Sequence, residues 1–215
     1  MKANYTHILY ILDRSGSMSI VQNDVIGGFN NFIKEQKEQV GDCTFSLVQF
    51  DNFYESVYDF IPMKQVAALD FSPRGSTSLY DAMGRAIVET GEKLALIPEF
   101  ARPEKVMVIV QTDGEENSSK DWNKKRVAEL IKQQEEKYSW KFIFLGTNFD
   151  VMGESDSLNI LKGNTMSYKN NSDGIAVMYN AVSRGVSNLR SCSMNSYTQD
   201  CCFNDTETVA ELPTK

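Results

Sequence analysis

Three short apolar runs in this sequence each stop abruptly at a polar residue or a glycine. They cover residues 7–12 (HILYIL), 106–110 (VMVIV) and 141–145 (KFIFL). Nearly continuous apolar runs of this length are typical of central strands in a parallel sheet that helices cover on both faces. Between the runs, apolar residues recur at three- and four-residue intervals, which is the spacing of amphipathic helices. The alternation predicts a doubly wound, Rossmann-like α/β fold.

Two further segments, residues 44–50 (TFSLVQF) and 53–60 (FYESVYDF), alternate between apolar and polar residues. Only Asp51 and Asn52 separate them, which favours a β-hairpin whose second strand lies at an edge. With a short strand near 165–168, we predict a mostly parallel sheet of about six strands with one antiparallel edge strand. Before the first helix, Ser19 and Gln22 have the spacing of a capping box, so this helix is expected to begin near Ser19.

The size and composition of the chain suit one soluble α/β domain. The sequence has 215 residues, of which 41% are hydrophobic and 24% are charged, an ordinary globular balance. We assign the domain to residues 1–190, because residues 191–215 are polar and aperiodic and read as a tail that is mobile or lies across the surface. The four cysteines, Cys43, Cys192, Cys201 and Cys202, match neither a disulfide framework nor a zinc-binding pattern.

Charge and hydropathy exclude two classes of partner. The formal net charge of −7 argues against a nucleic-acid-binding surface, which needs a clustered excess of lysine and arginine. No apolar run approaches the length needed to span a bilayer, and the first residues lack the pattern of a secretory signal. We therefore expect no membrane association and, by default, a cytoplasmic protein.

Carboxylate and hydroxyl side chains follow the predicted strands at the edge where ligands bind. Asp13 and Asp113 each come directly after a buried run, and open parallel sheets bind ligands at the carboxyl ends of their strands, where the strand order reverses. Ser15, Ser17 and Thr77 lie in loops expected at the same edge. Any one of these short motifs is more often a turn or a helix cap. Three of them converging on one edge favour a binding site.

The residue types in this set point to a hard metal ion. Carboxylate and hydroxyl oxygens suit Mg²⁺, or alternatively Mn²⁺ or Ca²⁺, and the lack of nearby cysteine or histidine argues against zinc and copper. Two aspartates balance the charge of one divalent cation, and hydroxyls add no charge. The ion would therefore remain able to accept an Asp or Glu carboxylate from a partner protein.

The three motifs together resemble the metal-ion-dependent adhesion site of von Willebrand factor A domains. The motifs are Asp13-x-Ser15-x-Ser17, Gly75-Ser76-Thr77-x-Leu79 and Thr112-Asp113-Gly114. They occur in the order found in that family, and the resemblance covers about residues 6–190. The part from residue 142 onward is similar to small stand-alone bacterial and phage members. One departure is Ser76, which stands where a second glycine is common.

This resemblance implies a role for each residue of the set. Ser15, Ser17 and Thr77 would contact the metal directly, whereas Asp13 and Asp113 would bind it through water or switch to direct contact. The domain would then be a protein-binding module and not an enzyme. Six flanking residues are candidates for partner contacts: Arg14, Met18, Asp51, Arg74, Tyr80 and Glu115.

Two alternative functions stay open at this point. A metal-dependent phosphoesterase or other hydrolase could also use an aspartate at the end of a central strand. However, position 15 is a serine where a second acidic residue would be needed, and neither a phosphate-binding loop nor a lysine placed by a motif is present. A Ser-His-Asp hydrolase is disfavoured because His7 is the only histidine and opens a core strand. The domain could instead be an adaptor subunit with an ATPase partner.

Overall fold

One sheet of six strands runs through the part of the chain that the computed structural model describes, residues 1–147, 149–199 and 202–203. Asp200, Cys201 and residues 204–215 of the predicted tail lie outside the described residues. The strands are β1 Lys2–Asp13, β2 Asp42–Phe50, β3 Tyr54–Pro62, β4 Pro103–Thr112, β5 Lys141–Gly146 and β6 Thr165–Ser167.

The strands lie in the order β3-β2-β1-β4-β5-β6. All neighbouring pairs are parallel except β2 with β3, which pair antiparallel at one edge. The order reverses between β1 and β4, which are adjacent and in register from Thr6 with Lys105 to Leu12 with Gln111. The predicted fold class is confirmed. The ends of β1 and β4 therefore meet at the switch point, where a crevice forms.

Helices cover both faces of the sheet. They are α1 Gln22–Glu38, α2 Leu79–Leu96, α3 Lys124–Tyr138, α4 Val151–Ser157, α5 Ser172–Ser191 and α6 Met194–Gln199. Alternate residues of β1 enter different cores: Ile8 and Tyr10 pack with residues of α1 and α5, whereas Leu9 and Ile11 pack with residues of α2 and α3. Among the described residues, no helix is long and apolar enough to cross a membrane.

The first helix does not begin at Ser19 as predicted. A 3₁₀ turn over Gly16–Val21 precedes α1, and the residue before α1 is Val21, which makes no side-chain cap. The reason lies in the neighbouring residues: Ser17 hydrogen-bonds to Asp113 and Met18 is fully buried in the core. These two contacts tighten the chain between β1 and α1, and they outweigh the local capping preference of Ser19.

Residues 194–199, in the described part of the segment after Arg190, pack against the domain. Tyr197, in α6, is fully buried, and its hydroxyl donates to the carbonyl of Val106 at 2.7 Å. The ammonium groups of Lys105 and Lys141 lie 5.6 and 5.2 Å from the centre of its ring, within the range of cation–π attraction. For the described residues, this corrects the expectation of a peripheral tail. The domain boundary at residue 190 itself stays a prediction.

We expect Tyr197→Ala to lower the free energy of unfolding by about 3–5 kcal/mol, the usual cost of removing a buried aromatic ring. Tyr197→Phe keeps the ring and loses only the hydrogen bond to Val106, so we expect the free energy of unfolding to fall by about 1 kcal/mol. Equilibrium unfolding in urea measures both values. Thr198→Ala, at an exposed position of the same helix, is the control. Equal midpoints for Tyr197→Ala and the control would contradict the packed position of α6.

Candidate metal centre

Asp13 is fixed by groups from both central strands. It is the last residue of β1 and has no exposed surface. Its Oδ1 accepts a hydrogen bond from the backbone N–H of Ser15 at 2.7 Å, and its Oδ2 accepts one from the hydroxyl of Thr112 at 2.6 Å. Because Thr112 ends β4, this carboxylate lies at the switch point predicted from the sequence.

A chain of hydroxyl contacts joins the first and third loops. The Oγ atoms of Ser15 and Ser17 are 3.1 Å apart, and the Ser17 hydroxyl donates to Oδ1 of Asp113 at 2.7 Å. Asp113 directly follows β4. The oxygen atoms of the Asp13-x-Ser15-x-Ser17 motif therefore lie within hydrogen-bond reach of the carboxylate from the third motif.

Thr77 brings the second loop to the same place. Its side chain is buried, and its hydroxyl oxygen lies 3.8 Å from the position that a Cβ on Gly114 would occupy. Its backbone N–H donates to Oδ1 of Asn117 and its carbonyl accepts from the N–H of Asn117, both at 3.0 Å. The structure thus joins Asp13, Ser15, Ser17 and Asp113 through hydrogen bonds and places Thr77 beside the third loop. That they hold a metal ion stays a prediction.

The cluster is buried on most sides and open on one. Asp13, Ser15, Thr77 and Asp113 are all buried, whereas Ser17 is exposed. Gly75 and Ser76, in the second loop, are exposed as well. Among the described residues, the oxygen donors are therefore buried except at an exposed rim, which includes Ser17, Gly75 and Ser76.

The donor set fits a hard divalent cation. Within the described residues, no group of three or more His, Cys, Asp or Glu side chains is placed to hold a metal ion. This cluster has only two carboxylates, and its other donors are hydroxyls. Such a set of oxygen donors suits Mg²⁺ or a similar ion and does not suit the softer metals that prefer nitrogen and sulfur.

Two asparagines near the site were not found by sequence reasoning. The amide of Asn170 donates to Oδ2 of Asp113 at 3.3 Å, and its Oδ1 is buried without a hydrogen-bond partner among the described residues. Asn170 comes three residues after β6, so it lies at the same edge of the sheet as Asp13 and Asp113, and that placement was a usable signal. Asn117 pairs with Thr77 from within an irregular loop, where no periodic pattern marks it.

Burial corrects three of the predicted partner contacts. Met18 and Asp51 are fully buried: Met18 belongs to the hydrophobic core, and the Asp51 carboxylate is bound by Arg14 and Arg74. Neither side chain is accessible to a partner. Arg14 is also buried, with its guanidinium paired to Asp51 and to Glu55.

The other three predicted contacts are at least partly exposed to solvent. Arg74 and Glu115 are exposed, and Tyr80 is half-buried. Tyr80 and Glu115 line a cleft of about 500 Å³ that also includes Lys124 and Glu154. The Tyr80 hydroxyl donates to Oε1 of Glu154, and Lys124 forms an ion pair with the same carboxylate. These three predicted contacts remain available to a partner.

Both carboxylates of the cluster are held in an unfavourable environment for negative charge. Burial raises the pKa of Asp13 to about 6, and the neighbouring Asp113 carboxylate adds to the rise, although hydrogen bonds from Thr112 and Ser15 oppose it. Burial likewise raises the pKa of Asp113, against hydrogen bonds from Ser17 and Asn170. Each ionised carboxylate therefore costs free energy that a bound cation would offset.

We expect Asp13→Asn to stabilise the metal-free protein at neutral pH. The raised pKa means that the ionised Asp13 destabilises the folded state, and this penalty grows as the pH rises from about 4 to about 6. A shift from 3.8 to about 6 corresponds to up to about 3 kcal/mol at pH 7.5, and to much less at pH 4. Urea unfolding in EDTA at the two pH values measures the difference. Asp70→Asn removes an exposed carboxylate and is the control; a gain in stability that does not depend on pH would contradict the explanation.

The sequence matches no protein-family model and no curated protein, but its fold is similar to several solved structures. The von Willebrand factor domain of the pilus tip protein Mfa5 from Porphyromonas gingivalis superposes with a TM-score of 0.61 at 9% identity, over 87% of this chain and 97% of that one. Proximal thread matrix protein 1 of the mussel byssus, with zinc in its metal-ion-dependent adhesion site motif, gives a TM-score of 0.60 at 12% identity over 85% of this chain.

Manganese-loaded TRAP protein of Plasmodium vivax gives a TM-score of 0.55 at 16% identity, over 83% of this chain and 73% of that one. This chain spans 46% of the mussel protein, less than half of its length. These similarities agree with the doubly wound α/β architecture described above. The chain has the von Willebrand factor A fold.

Proposed function

We propose that this domain is a divalent-metal-dependent protein-binding module with a metal-ion-dependent adhesion site. One ion would be held by Asp13, Ser15, Ser17, Thr77 and Asp113, and it would coordinate an Asp or Glu carboxylate of a partner protein. One observation carries this proposal: oxygen donors of the first and third loops form a hydrogen-bonded cluster with its Ser17 side exposed, and the Thr77 hydroxyl of the second loop lies beside Gly114 of the third.

The spacing of the donors supports an ion of the size of Mg²⁺. Neighbouring ligands in an octahedral Mg²⁺ shell are about 2.9 Å apart, because each lies about 2.0–2.1 Å from the ion. The two oxygen–oxygen distances of 3.1 Å between Ser15 and Ser17 and 2.7 Å between Ser17 and Asp113 lie on either side of that value. Only small movements would be needed for these atoms to share one ion. The zinc and manganese named for two of the similar structures support a divalent cation in general.

The charge of the site supports a carboxylate as the partner group. Asp13 and Asp113 would neutralise a divalent cation, and the three hydroxyls would leave its positive field unsatisfied towards the exposed side. An anionic oxygen is the ligand that such an ion prefers. Arg74, Tyr80 and Glu115, which are at least partly exposed, would then select among carboxylate-bearing partners.

We infer binding and not catalysis, because no histidine is near the cluster. The only histidine, His7, is fully buried, with its ring stacked on Phe60 at 3.8 Å and its Nδ1 within 3.0 Å of the Thr44 hydroxyl. An ATPase as the partner and a cytoplasmic location stay predictions from the sequence.

We expect Mg²⁺ to bind the wild type and to raise its unfolding temperature, with a gain of about 2.7 kcal/mol at a metal concentration of 100 times Kd. Asp13→Ala and Thr77→Val should lose most of this binding, since each removes one of the oxygen donors. Isothermal titration calorimetry with Mg²⁺ measures the affinity of each variant. Ser76→Ala, an exposed residue beside Thr77, is the control and should bind like the wild type. Equal affinity in Thr77→Val and Ser76→Ala would refute the proposed ligand set.

Partner binding is tested by crosslinking and affinity capture with Mg²⁺ or with EDTA. We expect captured proteins to disappear both in EDTA and in Asp13→Ala, because the ion supplies the central contact. Capture that persists unchanged in Asp13→Ala would contradict a metal-bridged interface.

A further inference from the structure

A buried carboxylate next to the candidate metal centre binds two of its loops. Asp51 lies in the turn between β2 and β3 and has no exposed surface. Its Oδ2 accepts hydrogen bonds from Nε of Arg14 at 3.1 Å and from Nε of Arg74 at 2.9 Å. Its Oδ1 accepts one from the backbone N–H of Phe53 at 2.6 Å. The side chain is thus fully committed to contacts within the protein.

The two arginines that bind Asp51 come from different metal-site motifs. Arg14 stands between Asp13 and Ser15 in the first loop, and Arg74 precedes the Gly75-Ser76-Thr77 motif in the second. One carboxylate therefore connects the loop that carries the serine hydroxyls with the loop that carries Thr77.

Backbone hydrogen bonds hold the two loops against each other, and the second loop also packs closely on the turn. The N–H of Arg74 donates to the carbonyl of Arg14 at 2.7 Å, and the N–H of Gly16 donates to the carbonyl of Gly75 at 3.1 Å. Gly75 has a φ of +71°, and a Cβ at this position would lie 2.2 Å from Oδ1 of Asn52. The turn and the two loops therefore have little room to shift independently of one another.

The charges of this cluster are balanced. Arg14 is buried and pairs with Glu55 at 2.6 Å as well as with Asp51. Without Asp51, the Arg14 guanidinium would remain buried beside the loops of a cation site with only a half-exposed glutamate as a partner. Removing one partner of a buried ion pair is much more costly than the pair itself is stabilising.

We propose that Asp51 is a positioning residue of the metal centre, which sets the spacing between the first and second loops so that Ser15, Ser17 and Thr77 face one ion. This inference rests on the proposed function. The plain alternative is a buried ion pair that stabilises the fold and has no effect on the metal beyond that. Residues that orient metal ligands through hydrogen bonds commonly change metal affinity by about 10- to 100-fold when they are replaced.

Arg74 separates the two explanations because its side chain is 59% exposed, so its replacement should leave the protein folded. Arg74→Met removes a positive charge near a cation site, and the loss of charge alone would make Mg²⁺ bind more tightly. The loss of positioning would make it bind less tightly. We expect about tenfold weaker Mg²⁺ binding in titration calorimetry. Arg74→Lys, which keeps the charge but lacks the Nε–H, should also bind more weakly than the wild type.

Arg85→Met is the matched control. Arg85 is 56% exposed and forms an ion pair with Glu89 on the surface of α2, so its replacement should leave Mg²⁺ affinity unchanged. If the wild type binds Mg²⁺ and Arg74→Met binds it equally or more tightly, the positioning role is overturned while the proposed function stands. If the wild type binds no Mg²⁺, the proposed function fails, and this role fails with it.

A second measurement needs no metal. In Asp51→Asn kept in EDTA, the amides of Gly16 and Ser78 should exchange hydrogen with solvent faster than in the wild type. The N–H of Gly16 donates to the carbonyl of Gly75 in the second loop, and the N–H of Ser78 donates to the carbonyl of Asp51 at 3.1 Å. Unchanged exchange at both amides in this variant would overturn the positioning role.

Discussion

Two carboxylates, Asp13 and Asp113, lie buried side by side where the order of the strands reverses. The hydrogen bond from Thr112 to Asp13, 2.6 Å long, joins the ends of β1 and β4 at this point. Burial is unfavourable for both negative charges, which is why the pKa of each group is raised. A sheet that served only as a core would gain stability from neutral residues here. The arrangement is therefore better explained by a cation that completes the site than by the needs of the fold.

Around this pair, each loop is held by side chains of another. Asp51 joins the first and second loops, Asn117 joins the second and third, and Asn170 reaches the third from the segment before α5. Polar groups that are buried without partners are costly, so such networks are stable when nearly every member is bonded. The loops of this edge are irregular in backbone conformation, and this network gives them the rigidity that regular secondary structure gives to the strands.

Sequence periodicity was enough to predict the strands and the main helices. Because strand ends in a parallel sheet share an edge, it also placed the loops of Asp13 and Asp113 next to each other. It did not reveal which neighbours of these residues are buried. Met18 and Asp51 stand in polar loops, where exposure is the usual state, and only the tertiary contacts bury them. The burial of Tyr197 was missed for a similar reason: one buried aromatic residue in a polar segment produces no periodic pattern in the sequence. Ser19 had good capping chemistry, but the contacts of Ser17 and Met18 decided the local geometry.

The cluster is arranged so that an ion could replace hydrogen bonds without moving the loops. The Oγ atoms of Ser15 and Ser17 are 3.1 Å apart, and the Ser17 hydroxyl donates to Asp113 at 2.7 Å. Those separations are close to the ligand spacing of a small divalent ion, about 2.9 Å. Hydroxyl hydrogens can rotate, so the same oxygens can turn their lone pairs inward at little cost. The exposed Ser17 provides the way in. Donors that the fold already holds in place would lose little conformational freedom on binding an ion, which supports the proposed site with its two charged ligands.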